Sequence, residues 1–427
     1  MTNRNRRSFI TTAAVAATAG LAGCATEVRE SLPFQSDDSS DGGNDDDDSD
    51  TEEGETEADE LDHLPGETVE DFDDLDDWVS LLDGGELEAA TDDPYAGSQS
   101  ARLTAGEEGD YAGIYSTVSG GLDLDEQNLS LAVKFTDRQQ LHLTVELFAP
   151  DSNSVHSFTR TLVGPADRWV RVDLGTTGLD SHTDLSSVQE IRIAARRRGG
   201  EDGSIECEID DLRSVSRPDR GKVLLLFDGT LESHHTEALE PMQEHDFVGV
   251  EAVIPDAVGE TDRLTYGLLQ DLNDAGWEMI ARPQTGSQRL PDFEADEQER
   301  AIEQTKSYLE SRGFDDGAEH FVVPGNILGT NTIDAIREHH EQAFRYGGSP
   351  NALPLTDPHN ISVFPGTEGD VTKQYVDYAA EHSQLAVLRF EELGDDGMEL
   401  EAFEDLLEHI DDQDIDVVTA TELREDR

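Results

Sequence analysis

The chain has 427 residues, of which 97 are acidic and 30 basic, and its formal net charge is -67. Nucleic acid is excluded as a partner, because binding it requires basic side chains that neutralise phosphates. Only four residues are lysine, so arginine carries most of the positive charge. Such a chain repels itself in dilute buffer and is screened in molar salt, where the Debye length is about 3 Å.

The N-terminal residues have the pattern of an export signal. Asn5–Ile10 contains a twin arginine, and a short apolar stretch leads to Leu21-Ala22-Gly23-Cys24, which resembles a lipobox. We predict that residues 1–24 are a twin-arginine signal peptide with a lipobox. Cys24 would then be lipidated and anchor the protein at the outer face of the cell membrane. A plain secretory signal with an incidental cysteine is the alternative.

Residues 25–66 are rich in aspartate, glutamate and serine and nearly devoid of apolar side chains. Such a segment buries too little surface to offset its conformational entropy, and its charges repel one another. We therefore predict a disordered acidic linker. Beyond Cys24, the chain has one further cysteine, Cys207, which is expected to be a buried residue of a strand without a disulfide partner.

Residues 67–215 break into short alternating runs separated by Gly, Asp, Pro and Ser. This texture predicts an all-β sandwich. The clearest predicted strands are Ser130–Phe135, Leu141–Phe148, Trp169–Leu174 and Glu190–Ala194.

The beginning and end of this segment resemble galactose-binding-like jelly rolls of carbohydrate-binding modules. The resemblance rests on Val69–Trp78 (VEDFDDLDDW), Gly97–Leu103 (GSQSARL) and Ile205–Val215 (IECEIDDLRSV). It implies a structural calcium site, because hard cations favour clustered carboxylates. The candidate ligands are Glu70, Asp71, Asp210 and Asp211. The candidate sugar-stacking residues are Trp78, Tyr95, Tyr111, Tyr115 and Trp169.

After a joint at residues 216–221, strand and helix patterns alternate over residues 221–427. The predicted strands are Lys222–Phe227, Val248–Ile254, Trp277–Ala281, His320–Val323, Gln342–Tyr346, Leu385–Phe390 and Asp416–Ala420. The predicted helices are Thr236–His245, Leu264–Ala275, Ala295–Arg312, Thr332–His340, Val371–Ser383 and Leu400–Asp411. Apolar strands alternating with helices indicate a parallel sheet, and seven strands suit an irregular (β/α) barrel. Active sites of such barrels lie at the C-terminal ends of the strands. Four residues fall at these ends: Asp228, Arg282, Pro324 and Glu391.

Two stretches of this second part resemble the polysaccharide deacetylase family (NodB-homology, carbohydrate esterase family 4). They are Val223–Thr230 (VLLLFDGT) and Leu264–Arg282, where that family carries TFDDG and a histidine pair, roughly SHTxxH. The resemblance implies a cation held by one aspartate and two histidines, with a second aspartate as base. Asp228 matches the base, but Gly229 stands at the metal-binding aspartate, and Arg282 and Gly286 stand at the two histidines.

The remaining family positions are also replaced. Only Pro324 matches the family's RxPYG motif, and the strand that should end in a histidine runs into Glu391. Arginine stays protonated and cannot bind a cation, so catalytic zinc is not expected at this site. A relocated site made of Asp228, His234, His235 and His359 is an alternative. Arg282 could instead form a structural ion pair with Asp228, or bind an anionic sugar such as a uronate.

The leading hypothesis is a surface-anchored, noncatalytic protein that binds polysaccharide or surface glycan on a deacetylase-like scaffold. An active metal-dependent deacetylase with a rebuilt site is the first alternative, and a structural envelope component without ligand is the second. The overall acidity resembles that of haloarchaeal proteins. The sequence leaves the identity of the glycan and the oligomeric state open.

Overall fold

A computed structural model describes residues 63–136, 140–197, 203–394 and 397–425. The predicted signal peptide, Cys24 and residues 25–62 of the predicted linker lie outside these ranges. The described residues all belong to one compact unit, Glu55–Arg427. Within the described ranges, no helix has the length and apolar character required to cross a membrane.

The first half of this unit consists of two six-stranded antiparallel sheets. Sheet A contains β1 (Glu67–Glu70), β3 (Glu86–Ala90), β4 (Ser100–Ala105), β6 (Gln127–Phe135), β9 (Val170–Leu174) and β12 (Ile205–Ser216). Sheet B contains β2 (Trp78–Ser80), β5 (Tyr111–Leu122), β7 (Gln140–Phe148), β8 (Val155–Val163), β10 (Thr176–Leu179) and β11 (Val188–Arg197). The strand orders are β3-β4-β12-β6-β9, with β1 beside β12, and β10-β8-β7-β11-β5-β2. The four predicted strands are found; the jelly-roll topology stays a prediction.

Apolar and polar residues alternate along the strands, so each sheet has one apolar face, and the two apolar faces pack against each other. In β7, Leu141, Leu143, Val145 and Leu147 are buried, and the residues between them are partly exposed. They share one core with side chains of sheet A, including Cys207. Cys207 is fully buried, as predicted, and burial raises the pKa of its thiol to about 12, so the thiol is unreactive at neutral pH.

The second half is a closed barrel of seven parallel strands. They are β13 (Gly221–Asp228), β14 (Val250–Val253), β15 (Glu278–Ala281), β16 (His320–Val322), β17 (Gln342–Tyr346), β18 (Ile361–Pro365) and β19 (Leu385–Phe390). Neighbours along the chain pair in order, and β13 pairs with both β14 and β19 to close the ring. An eighth strand, β20 (Ile415–Val417), pairs with the first residues of β13.

Helices cover the outside of the barrel. They are α1 (Leu239–Glu244), α2 (Tyr266–Asp274), α3 (Ala295–Glu310), α4 (Asp315–Ala318), α5 (Thr330–His339), α6 (Asp370–Glu381), α7 (Leu400–Asp411) and α8 (Ala420–Glu425). Leu225 and Phe227 of β13 point outward to the helices, whereas Leu224 and Leu226 belong to the inner cluster. In α7, Phe403, Leu406, Leu407 and Ile410 form the buried face at helical spacing.

Two details of the barrel differ from the sequence prediction. Strand β18 was not predicted, since it has only five residues and ends in a proline. The predicted strand Asp416–Ala420 is shorter, because a helix begins at Ala420. The Glu278 carboxylate accepts a hydrogen bond from the backbone N–H of Thr421 at 3.0 Å and so caps this helix.

The open edge of the sandwich docks on the barrel. No helix lies between β17 and β18, and the connecting residues 347–360 contact β8 and β9 instead. Asp173 accepts hydrogen bonds from the backbone N–H and the hydroxyl of Thr356, at 3.0 and 2.6 Å. Asn128 donates to the Leu353 carbonyl at 2.9 Å. The two halves are therefore joined by buried, directional contacts as well as by the chain.

Candidate functional site

The mouth of the barrel is centred on Asp228. This residue ends β13, points inward two residues after Leu226, and is 7% exposed. Arg282 follows the end of β15, and its Nε lies 2.5 Å from Oδ1 of Asp228. The two atoms are not aligned as a hydrogen bond, so the contact is an ion pair. The structure thus brings together two of the four residues that the sequence placed at strand ends.

Two further arginines complete this mouth. Nε of Arg389, at the end of β19, lies 3.6 Å from Oδ2 of Asp228, and its Nη2 pairs with Glu391. Arg263 donates a hydrogen bond to the carbonyl of Gly229. Three guanidinium groups therefore stand with two carboxylates, Asp228 and Glu391, in a chain that is otherwise strongly acidic. We call Asp228, Arg263, Arg282, Arg389 and Glu391 the mouth cluster.

The mouth cluster does not fit the catalytic metal that the resemblance implies. Gly229 has a φ of +126°, a conformation that residues with a side chain rarely adopt, so this backbone does not suit an aspartate. Gly286 offers no side-chain ligand, and Arg282 offers only a permanent cation. A metal ion beside Asp228 would have to displace two guanidinium groups. The donor set is that of an anion or carboxylate site.

The structure does not place His234 beside Asp228, as the relocated metal site would require. Glu251 and Phe227 point outward from the sheet, and His234 packs against them on the outer side. Nδ1 of His234 lies 2.7 Å from the Glu251 carboxylate, and Nε2 lies 3.0 Å from the carbonyl of Glu391. Asp228 points inward, so the sheet separates the two side chains. The pKa of Glu251 is raised, because the effect of burial outweighs the lowering effect of His234.

The other histidines of that alternative are also elsewhere. His235 lies 3.6 Å from Asp271 of α2, and His359 precedes β18, at the end of the barrel opposite the mouth. Its Nε2 contacts the carbonyl of His340 at 2.8 Å. Among the described residues, the one group with metal-ligand spacing is Glu299, Glu338 and His339 on α3 and α5, outside the mouth.

The four predicted calcium ligands do not assemble into one site. Asp211 is paired with Arg171 and Arg213 at 2.7 and 3.0 Å. Asp210 accepts the backbone N–H groups of Tyr95 and Ala96, and burial raises its pKa to about 7. Within the described ranges, no three of Glu70, Asp71, Asp210 and Asp211 bring ligand atoms within 4.8 Å of one another. The calcium site therefore stays a prediction, and Asp211 is engaged by two arginines.

The candidate sugar-stacking residues are dispersed. Trp78 is buried and packs on Phe72 in the core, and the hydroxyl of Tyr111 donates to the Leu82 carbonyl at 2.6 Å. Tyr95 and Trp169 form an edge-to-face pair at 5.6 Å, with Lys134 above the Trp169 ring. Tyr115 is partly exposed on β5. An open groove of about 1020 Å³ also crosses the sandwich beside Trp78, with Ser116 and Thr117 in its wall.

The sequence prediction missed Arg263, Arg389 and Glu251. The sequence does indicate the position of Arg389. It lies near the end of a predicted strand, two residues after Val387, and therefore on the same inward face. The signal for Glu251 was a lone acid inside an apolar strand. Arg263 lies in a loop and has no comparable signal.

No protein-family model matches the sequence, and no curated protein matches it. The Xyl-CE4 domain of a multidomain xylanase from the hindgut metagenome of Trinervitermes trinervoides is similar over 49% of this chain and 91% of its own, at 16% identity and a TM-score of 0.37. A family 4 acetyl xylan esterase from Clostridium thermocellum is similar over 48% and 90%, at 13% identity and a TM-score of 0.33. Carbohydrate-binding modules of the β-sandwich superfamily are similar over 36% of this chain and 64% of theirs, at 14% identity and a TM-score of 0.29.

Proposed function

We propose that this protein is a noncatalytic glycan-binding protein built on a deacetylase-like barrel. The observation that carries the proposal is that Asp228 lies between Arg282 and Arg389, at distances of 2.5 and 3.6 Å. Arg282 stands where the resemblance implies a histidine ligand, and neither guanidinium can offer a lone pair to a metal ion. The mouth can recognise an anionic group, but it lacks the donors that hold a catalytic metal.

The ligand class that suits this site is a saccharide with a carboxylate, such as a uronate. Guanidinium groups bind carboxylates through two parallel hydrogen bonds. Arg282 and Arg389 are each about one-fifth exposed, so both retain a face toward solvent. A sugar carboxylate can exchange with the Asp228 carboxylate on these arginines, whereas a neutral sugar gains no ionic contact there.

Metal content and acetate release test the noncatalytic part of this proposal. The protein is exposed to zinc, dialysed exhaustively in molar salt and analysed for bound metal, and acetate release from N-acetylated glycans is then measured. We expect neither stoichiometric metal nor acetate. One tightly held ion per chain that is lost in Asp228→Asn, together with acetate release, would establish the alternative of an active deacetylase with a rebuilt site.

Binding of an oligouronate and of a matched neutral oligosaccharide tests the ligand class. We expect Arg282→Ala and Arg389→Ala each to weaken oligouronate binding by roughly 10- to 100-fold, the worth of a charged hydrogen bond. Arg300→Ala is the matched control, because it removes an exposed arginine of α3 that pairs with Asp296. Unchanged binding in Arg282→Ala would exclude the uronate site, and absence of any glycan binding would favour the structural envelope component.

We further propose that the protein is exported by the twin-arginine route and anchored through Cys24. The support is the sequence pattern of residues 1–24 alone. Release of the protein from cell membranes in Cys24→Ser would support this localisation, and unchanged membrane association would contradict it.

A further inference from the structure

Two arginines, one from each half of the molecule, are fully enclosed where the sandwich docks on the barrel. Arg160 of β8 and Arg345 of β17 are each 1% exposed. Arg160 donates from Nη1 to Oδ1 of Asn351 at 3.1 Å and from Nη2 to the carbonyl of Asn360. Nε of Arg160 and both Nη atoms of Arg345 are buried without a hydrogen-bond partner. Three strong donors are therefore buried at this interface without a hydrogen-bond acceptor.

The acids of this interface are already engaged. Asp211 pairs with Arg171 and Arg213, and Asp173 accepts from Thr356. The third, Asp357, accepts from the backbone N–H of Arg171 at 3.1 Å. Among the described residues, no carboxylate oxygen lies within 4.0 Å of the guanidinium of Arg160 or Arg345.

The guanidinium groups of Arg160 and Arg345 therefore act on each other without a contacting carboxylate. Burial lowers the pKa of Arg160 to about 9, with Arg345 as the second cause, and lowers the pKa of Arg345 to about 10. Both remain charged at neutral pH, and an uncompensated charge in a protein interior is costly.

We propose that Arg160 and Arg345 hold one small monovalent inorganic anion of the chloride class between the sandwich and the barrel. Two guanidinium groups without a contacting carboxylate require a ligand of negative charge, and a monovalent ion is the smallest anion that can pair with both. The small size follows from the close packing, because a Cβ on Gly347 would lie 2.6 Å from Nε of Arg160. A water molecule can accept from these donors and donate to the unpartnered Oδ1 of Asn360, but it does not neutralise the charge. This site is separate from the mouth cluster and does not depend on glycan binding.

Bromide substitution locates the anion directly. Crystals of the full protein grown with bromide in place of chloride should give an anomalous peak beside the guanidinium of Arg345. A peak there establishes the site. Water-like density without anomalous signal at that position would overturn the proposal, and this readout requires no variant to fold.

Thermal unfolding at constant cation and ionic strength gives an independent test. We expect the unfolding midpoint to be higher in sodium chloride than in sodium gluconate, by about 2 °C for each tenfold rise in chloride above its dissociation constant. Arg345→Met and Arg160→Met should each lose this chloride dependence. Arg168→Met is the control, because that exposed arginine contacts Asp334 across the same interface. A chloride response equal to that of the wild type in Arg345→Met would contradict the site.

Discussion

His234 and Glu251 form the most enclosed ionisable pair of the barrel wall, with both side chains fully buried. The Nε2 atom of His234 faces a carbonyl oxygen and must donate, and Nδ1 faces the Glu251 carboxylate. The imidazole is thus held on both sides, by the Glu251 carboxylate of β14 and by the carbonyl of Glu391. It ties β14 to the residues that follow β19, directly behind the mouth cluster.

Replacing Glu251 with leucine should destabilise the protein by about 1–3 kcal/mol, because the buried N–H of Thr230 then loses its acceptor. The Thr230 N–H lies 3.1 Å from Oε1 of Glu251, and a leucine side chain offers no acceptor in that place. Urea unfolding in molar KCl measures the change in the free energy of unfolding. Glu240→Leu, at an exposed glutamate of α1, is the control. Equal stabilities of Glu251→Leu and wild type would contradict this role of the Glu251 carboxylate.

At the scale of elements, β8 and α6 meet through two histidines. The rings of His156 and His382 lie 5.0 Å apart, and both are buried. Burial, followed by Arg217, lowers the pKa of His382 to about 4; burial, His382 and Arg217 lower that of His156. The acids on this side, Asp125, Glu126 and Glu381, act on Arg217. The neutral rings are favoured in the folded protein, so their contribution to stability is complete above the ordinary pKa of 6.5 and is lost as pH falls toward 4.

We therefore expect His382→Gln to reduce the acid sensitivity of the fold. Its free energy of unfolding relative to wild type should rise by up to about 1.4 kcal/mol per pH unit as pH falls from 6.5 toward 4. Comparing the free energies of unfolding of the two proteins isolates the effect of His382, because the carboxylates that titrate in the same pH range are present in both. Urea unfolding at several pH values measures it, with His182→Gln, an exposed histidine before β11, as the control. A pH-independent difference would show that His382 does not titrate with unfolding.

At the scale of the whole molecule, the net charge of -67 governs the response to salt. The exposed acids are spread over both halves, and within the described residues most surface ion pairs join single arginines to one or two of them. Repulsion among the remaining acids opposes the compact state, and its range shrinks from about 30 Å at 0.01 M salt to about 3 Å at 1 M. Screening should therefore stabilise the fold whatever the anion is.

The thermal unfolding midpoint should rise steadily with potassium gluconate from millimolar to molar concentration. Gluconate separates this general screening from the chloride effect expected at Arg160 and Arg345. Sucrose at matched osmolality is the control, since it is excluded from the surface without screening charge. A midpoint that rises equally in sucrose would show that exclusion, rather than charge, sets the salt response.

The sequence by itself determined the local elements and the end of the barrel at which chemistry could occur. Helical spacing located α7 at its observed bounds, and strand ends placed Asp228 and Arg282 at one mouth, because parallel strands all finish at the same end. Short β18 escaped prediction, since five residues give too little periodicity to distinguish a strand from a loop.

Only the tertiary structure decided which buried charges meet. Arg160 lies 191 residues before its partner Asn351, and Asp173 lies 183 residues before Thr356. Nothing in the local pattern of either segment encodes such a pairing. Asp211 shows the consequence, because the resemblance of its segment implied a calcium ligand, whereas packing brings Arg171 of β9 against it. The physical reason is that periodicity reports which face of an element is buried, whereas the partner across that face depends on how distant elements pack.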